Sequence, residues 1–150
     1  MPGSLLVRSG VILTMNDRFD VVTGDVAIRD GRIEAVGRVD PDATFDRVVD
    51  AGGGYVLPGL IQTHIHLCQT LFRGFADDLP LLEWLRQRVW PMEAAHDAES
   101  VRAGAQLAAL ELVTSGTTTV LTMETVHDTG AVFEAVAESG LRATIGKAMM

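Results

Sequence analysis

Leu57-Pro-Gly-Leu-Ile-Gln-Thr-His64-Ile-His66 ends an apolar run with two imidazoles spaced two residues apart. Residues 60–66 read as a buried strand, and because strand side chains alternate between faces, His64 and His66 project to the same side. Neutral imidazole is a borderline ligand suited to zinc, iron or nickel. Two of them on a rigid strand make half of a catalytic metal site, which usually takes three protein ligands plus water. The same spacing also occurs in histidines that merely hydrogen-bond backbone or water, so the pair needs a context. Downstream, a helix capped by Asp97 runs towards Thr114, with Val101, Ala105, Ala108 and Leu112 on one stripe and Gly116 just past its end. Residues 117–123 are β-branched and read as a strand. A helix over 131–139 follows, with Val132, Phe133 and Val136 facing inward and Gly140 behind it, and residues 141–148 form a third apolar run. Strand, helix, strand, helix, strand predicts a parallel sheet with right-handed crossovers. The histidine pair then sits at the carboxyl end of a strand, where such sheets build their sites.

Upstream of Leu57 no 3.6-residue apolar stripe exists, and the chain reads as short strands and turns. Leu5, Val7, Val11 and Leu13 flank Ser9-Gly10. Asp30-Gly31, between two β-forming runs, is a type I′ hairpin signal. Val26 and Ile28 on one arm, with Ile33 and Val36 on the other, are expected to share a half-buried face. A further short strand is expected over residues 47–50. The glycines at 52, 53 and 54 then mark a junction between an N-terminal β segment, residues 1–57, and an α/β region, residues 58–150.

Composition narrows the partners. The 150 residues are 47% hydrophobic and 21% charged, enough for an ordinary globular core, and no apolar stretch is long enough to span a bilayer. Neither a membrane nor nucleic acid is expected as a partner, because the net charge of -8 opposes anionic surfaces. Arg8 interrupts the first apolar run and Cys68 is the only cysteine, so a reducing, cytoplasmic setting is expected.

The motifs resemble a known family. Pro58-Gly59-Leu60-Ile61-x-x-His64-x-His66 resembles the first-strand signature of the amidohydrolase superfamily. Thr70-Leu-Phe-Arg-Gly74 and Asp77-Asp-Leu-Pro-Leu-Leu-Glu-Trp-Leu85 resemble its aminohydrolase branch. That branch includes deaminases of 5′-deoxyadenosine, methylthioadenosine and S-adenosylhomocysteine, guanine deaminase and the s-triazine hydrolases. The resemblance implies a small β-sandwich segment followed by the first strands and helices of a metal-dependent (β/α) barrel. It makes His64 and His66 ligands of one divalent metal ion, zinc being the common choice, whose role is to lower the pKa of water towards neutrality. The substrate it implies is a purine nucleoside or related heterocycle. Trp90-Pro91-Met92-Glu93 resembles the element whose carboxylate accepts hydrogen bonds from ribose hydroxyls, and Gln69 matches a glutamine that contacts the base in guanine deaminase. Plain readings stand beside these: Glu93 as an acidic residue near a helix start, Gln69 as a solvated loop residue. Arg73 is expected to brace the loop, Trp84 to pack in the core and His127 to lie on the surface. His96 carries no ligand spacing, and Cys68 and Lys147 receive no role.

The chain also departs from the family's pattern. A closed barrel takes about 250 residues, whereas three strands are expected here. The third histidine, the proton-shuttling groups and the metal-binding aspartate of the family come from later strands, so the catalytic residues are expected outside this chain. A truncated, inactive fragment is therefore one expectation. An adenosine-type deaminase is the favoured reading of the inherited chemistry, with a guanine deaminase or triazine-type hydrolase as the alternative and a homo-oligomer left open for the full-length form.

Overall fold

The computed structural model describes residues 3–75, 78–125 and 127–149. Within it the chain divides into two compact units, Met1–Pro58 and Gly59–Met150. The first is a single mixed sheet of five strands rather than two facing ones: β1 (Ser4–Leu13), β2 (Val21–Arg29), β3 (Arg32–Gly37), β4 (Arg47–Asp50) and β5 (Tyr55–Val56). The strand order is β3-β2-β1-β4, with β5 also pairing β1. β1 runs antiparallel to β2 and parallel to β4 and β5. The β2–β3 hairpin turns through Asp30 and Gly31, both at positive φ (48° and 75°), which is what a type I′ turn demands and glycine supplies without strain. Ser9-Gly10 is not a turn between two strands. It is a bulge inside β1, with Ser9 at φ 60° and the register with β2 shifting between Val7 and Gly10.

The expected apolar face of the hairpin is corrected. Val26 and Ala27 are buried, but Ile33 is 66% exposed and Val36 is exposed as well. No further layer of the unit covers the side chains of Ile33 and Val36.

The second unit contains the parallel sheet β6-β7-β8, formed by β6 (Leu60–Ile65), β7 (Thr117–Glu124) and β8 (Arg142–Lys147). Between β6 and β7 run a 3₁₀ helix, Leu67–Phe72, and then α1 (Leu81–Trp84) and α2 (Trp90–Ala94), joined by a π-helical turn over Leu85–Val89. That helical connection has no counterpart in the sequence reading. Asp77, part of the family-like motif, lies outside the described residues. α3 (Ala98–Thr114) begins at Asp97, whose side chain accepts from the Ser100 amide while the Ser100 hydroxyl accepts from the Asp97 amide, a reciprocal capping box. Beyond it, Gly116 takes φ 87° and closes the helix. α4 (Thr129–Ser139) starts two residues earlier than expected and ends at Gly140.

The core of this unit lies where α3 and α4 meet the sheet, through Leu67, Val101, Ala105, Ala108, Leu112, Val120, Val132, Ala135 and Val136. Burying each of the larger of these side chains contributes about 1.5–3 kcal/mol. Two inward expectations fail here. Phe133 is 53% exposed, because the buried stripe of α4 follows Val132, Ala135 and Val136 and leaves position 133 on the next face. β6 is not buried either: Ile61 is 68% exposed, as are Leu121 (50%) and Met123 (53%) on the same face of the central strand β7, because no layer of this unit covers that face of the sheet. At its start, a Cβ on Gly59 would overlap the Thr118 side chain, so the close approach of the chain to β7 there requires glycine. Among the described residues no helix is long and apolar enough to cross a membrane.

Candidate metal and substrate site

His64 lies near the end of β6 and His66 one residue beyond it, still extended at φ -130° and ψ 100°. The alternation of the strand therefore persists through both, and their rings stand edge to face with centroids 5.2 Å apart. Nδ1 of His66 is 2.6 Å from the backbone oxygen of Met123 at the end of β7. A carbonyl only accepts, so Nδ1 carries the proton and Nε2 is left with its lone pair. This is the arrangement of metal-binding histidines, whose second nitrogen donates to a carbonyl or carboxylate that fixes ring and tautomer. The pair thus suits a divalent ion. Among the described residues no third histidine, cysteine or carboxylate joins it to complete a ligand set.

The backbone just past His66 is held by a residue absent from the sequence reading. Glu124, at the end of β7, is 2% exposed, and its two carboxylate oxygens accept from the amides of Leu67 and Cys68, each at 2.9 Å. The Thr122 hydroxyl stands within reach of both that carboxylate and the Ile65 carbonyl. The available signal was an acidic residue closing a β-branched strand, but local pattern does not say which amides it meets. Cys68 is fully buried; burial pushes its thiol upward, and the nearby Glu124 charge adds to the effect. It behaves as a small packed side chain.

A second group adjoins the histidines. Gln69 donates from Nε2 to Oε1 of Glu93 at 2.7 Å, and Glu93, in α2, is 8% exposed. The Nε2–H of His127 donates to the Glu93 backbone oxygen at 3.0 Å, while Nδ1 of His127 faces Asp128 at 2.9 Å. Glu93 is therefore gripped at side chain and backbone, and its Oε2 has no protein partner among the described residues. His127, expected on the surface, keeps its side chain 41% exposed and also braces this carboxylate's helix. Beside His66 and Gln69 opens a cavity of about 390 Å³, whose lining includes Phe72, Phe75, Trp84 and Arg88. Trp84 thus borders the cavity rather than sitting in the core. His96 goes into packing, stacked on Phe72 with its Nδ1 at the Ser100 hydroxyl. Arg73 braces as expected, paired with Glu111 at 2.7 Å, and Lys147 is exposed on β8.

Residues 55–150, which contain every group described above, match the amidohydrolase family. The chain belongs to that family. It is 44% identical over 147 residues to the 5′-deoxyadenosine deaminase of Methanosarcina mazei, covering 97% of this chain and 33% of that protein. It is likewise 44% identical over 151 residues to the 5-methylthioadenosine/S-adenosylhomocysteine deaminase of Syntrophobacter fumaroxidans, covering 97% and 34%. Among solved structures, an adenosine deaminase from Xanthomonas campestris with bound zinc superposes with a TM-score of 0.81 at 34% identity, over 95% of this chain and 33% of that one. The chain thus spans about a third of the length of these amidohydrolase relatives.

Proposed function

We propose that this amidohydrolase chain carries two metal ligands and the ribose-binding carboxylate of an aminohydrolase that deaminates an adenosine-type nucleoside such as 5′-deoxyadenosine, methylthioadenosine or S-adenosylhomocysteine. In this reading residues 1–57 belong to the small β domain and 58–150 open the barrel, in a cytoplasmic enzyme. His64 and His66 hold one divalent ion of the zinc class. When bound, such an ion lowers the pKa of water towards neutrality and so supplies the nucleophile for attack on the amino-bearing ring carbon. The chain's own residues do the positioning. The Met123 carbonyl keeps His66 in one tautomer with Nε2 available. Gln69 occupies one oxygen of Glu93 and leaves the other for hydroxyl donors, a strong bond when the acceptor is ionised. The lining of the cavity by Phe72, Phe75 and Trp84 suits a flat heterocycle. Proton-transfer groups are assigned outside these residues.

The Gln69–Glu93 bond carries the nucleoside reading over the free-base one, because it ties one N–H of Gln69 to the carboxylate and leaves the other carboxylate oxygen for hydroxyl donors. The experiment is calorimetric binding of 5′-deoxyadenosine and of guanine to the zinc-loaded chain and to Glu93→Gln, with zinc content measured beside a His64→Ala/His66→Ala double variant. The nucleoside should bind more tightly than guanine and lose about tenfold or more in Glu93→Gln, as expected for losing a charged hydrogen bond. Zinc should be lost in the double variant. Preference for guanine, unaffected by Glu93→Gln, would replace this reading with a guanine-deaminase one.

A further inference from the structure

His66 and the two residues after it are tied to the last residues of β7 by a set of bonds that the apolar core does not need. The Met123 carbonyl accepts a hydrogen bond from the ring N–H of His66, and the next residue, Glu124, accepts from the amides of Leu67 and Cys68. Thr122, two residues earlier, reaches Glu124 and the carbonyl of Ile65, the residue before His66. The chain is thus gripped on both sides of His66 by one strand end. Leu67 and Cys68 are completely buried, so their amides have no recourse to solvent. Without the carboxylate those two donors would be left unpaired, and the backbone would have to turn to find other acceptors. Any shift of residues 67–68 towards other acceptors pulls on the Cα of His66, to which they are joined, and so displaces the ring from the Met123 oxygen.

We propose that Glu124 is a positioning residue for His66: it sets the backbone from which the imidazole reaches Met123, and so fixes which ring nitrogen is free. The proposal rests on the reading of His66 as a metal ligand only for its consequence, the metal affinity. Its direct content, the orientation and tautomer of the ring, is independent of any metal.

The test uses the 150-residue chain. Glu124→Ala and Glu124→Gln are compared with wild type and with Val132→Ala, which loosens the same unit's core and removes none of the hydrogen bonds at the strand end. One readout is the tautomer of His66 from two-bond proton–nitrogen correlations of the imidazoles in metal-free protein. The other is zinc affinity by competition with a chromophoric chelator. Wild type should show His66 protonated at Nδ1. Glu124→Ala should show mixed tautomers and bind zinc about ten- to a hundredfold more weakly, the loss typical of groups that orient a ligand. Glu124→Gln should fall between, because a carboxamide oxygen can accept from one amide while its nitrogen faces the other. Val132→Ala should lose stability but keep both the tautomer and the affinity. A Glu124→Ala protein with the wild-type tautomer, or a Val132→Ala protein equally altered, overturns the proposal. Should Glu124→Ala not fold, Glu124→Gln decides, and a wild-type tautomer and affinity in that variant count against the role. If the wild-type chain binds no zinc, or the double histidine variant binds it equally, the ligand reading fails, while the tautomer of His66 still judges Glu124.

Discussion

Two regions of the Gly59–Met150 unit are held by different physics. Between the helices and the sheet, Val101, Ala105, Ala108, Leu112, Val120, Val132 and Val136 exclude water through shape and apolar area, without direction. At the carboxyl ends of β6 and β7, Glu124, Thr122 and the Met123 carbonyl hold residues 65–68 through directional hydrogen bonds. The first region supplies most of the stability. The second aims a ring. A core side chain can therefore be trimmed at large cost in free energy with little change in the site, whereas a donor lost at the strand ends should disturb the site out of proportion to its effect on stability.

Leu67 separates the two contributions, because its side chain belongs to the core cluster while its amide belongs to Glu124. Leu67→Ala should cost about 2–5 kcal/mol in urea unfolding yet keep the His66 tautomer, since the amide remains. A tautomer change in that variant would show that the two regions are not separable. Thr122→Val keeps the volume and removes the hydroxyl, and should cost about 1–3 kcal/mol for the buried polar groups left short of a partner. Here the imidazole nitrogen shifts of His66 should move even though the stability loss is smaller than for Leu67→Ala. The reverse ranking would mean that the polar end serves stability alone.

Away from both regions the effects shrink. The Asp97 carboxyl is held below its ordinary value of 3.8, mainly by the Ser100 amide and then by the Ser100 hydroxyl. Its folded pKa being depressed, the stabilisation is complete above the unfolded value and is lost as pH falls through the folded one. Hydrogen exchange at the first turn of α3, followed at pH below about 4, should lose protection relative to the middle of the helix, and Asp97→Ala should remove that pH dependence. Smallest are the two solvent-facing bridges from Arg102 of α3 to Glu134 and Glu138 of α4. Arg102→Ala should change unfolding free energy by no more than about 1 kcal/mol and leave zinc affinity untouched.

Much of the second unit was legible because its signals are local. Asp97 and Ser100 cap α3 three residues apart, Gly116 and Gly140 stop helices with their own backbones, and the β-branched run before Glu124 makes a strand wherever it packs. The Asp30-Gly31 turn belongs to the same class. Faces were harder. Ile33 and Ile61 have strand character, but their exposure depends on which sheet faces a further layer covers, and that is a property of the packing. Phe133 fell on the wrong side of α4 by a single helical step.

The amino-acid sequence by itself determined the alternation of the three parallel strands with α3 and α4 and the common face of His64 and His66, because propensity, capping and the two-residue strand repeat act over a few residues. Only the tertiary structure decided that Glu124 meets Leu67 and Cys68, that Gln69 holds Glu93, and that the Nδ1–H of His66 donates to the Met123 carbonyl. Those partners lie 24 to 57 residues apart. A buried donor takes whichever acceptor the packing brings within about 3 Å, and that neighbour is chosen by which strands lie side by side.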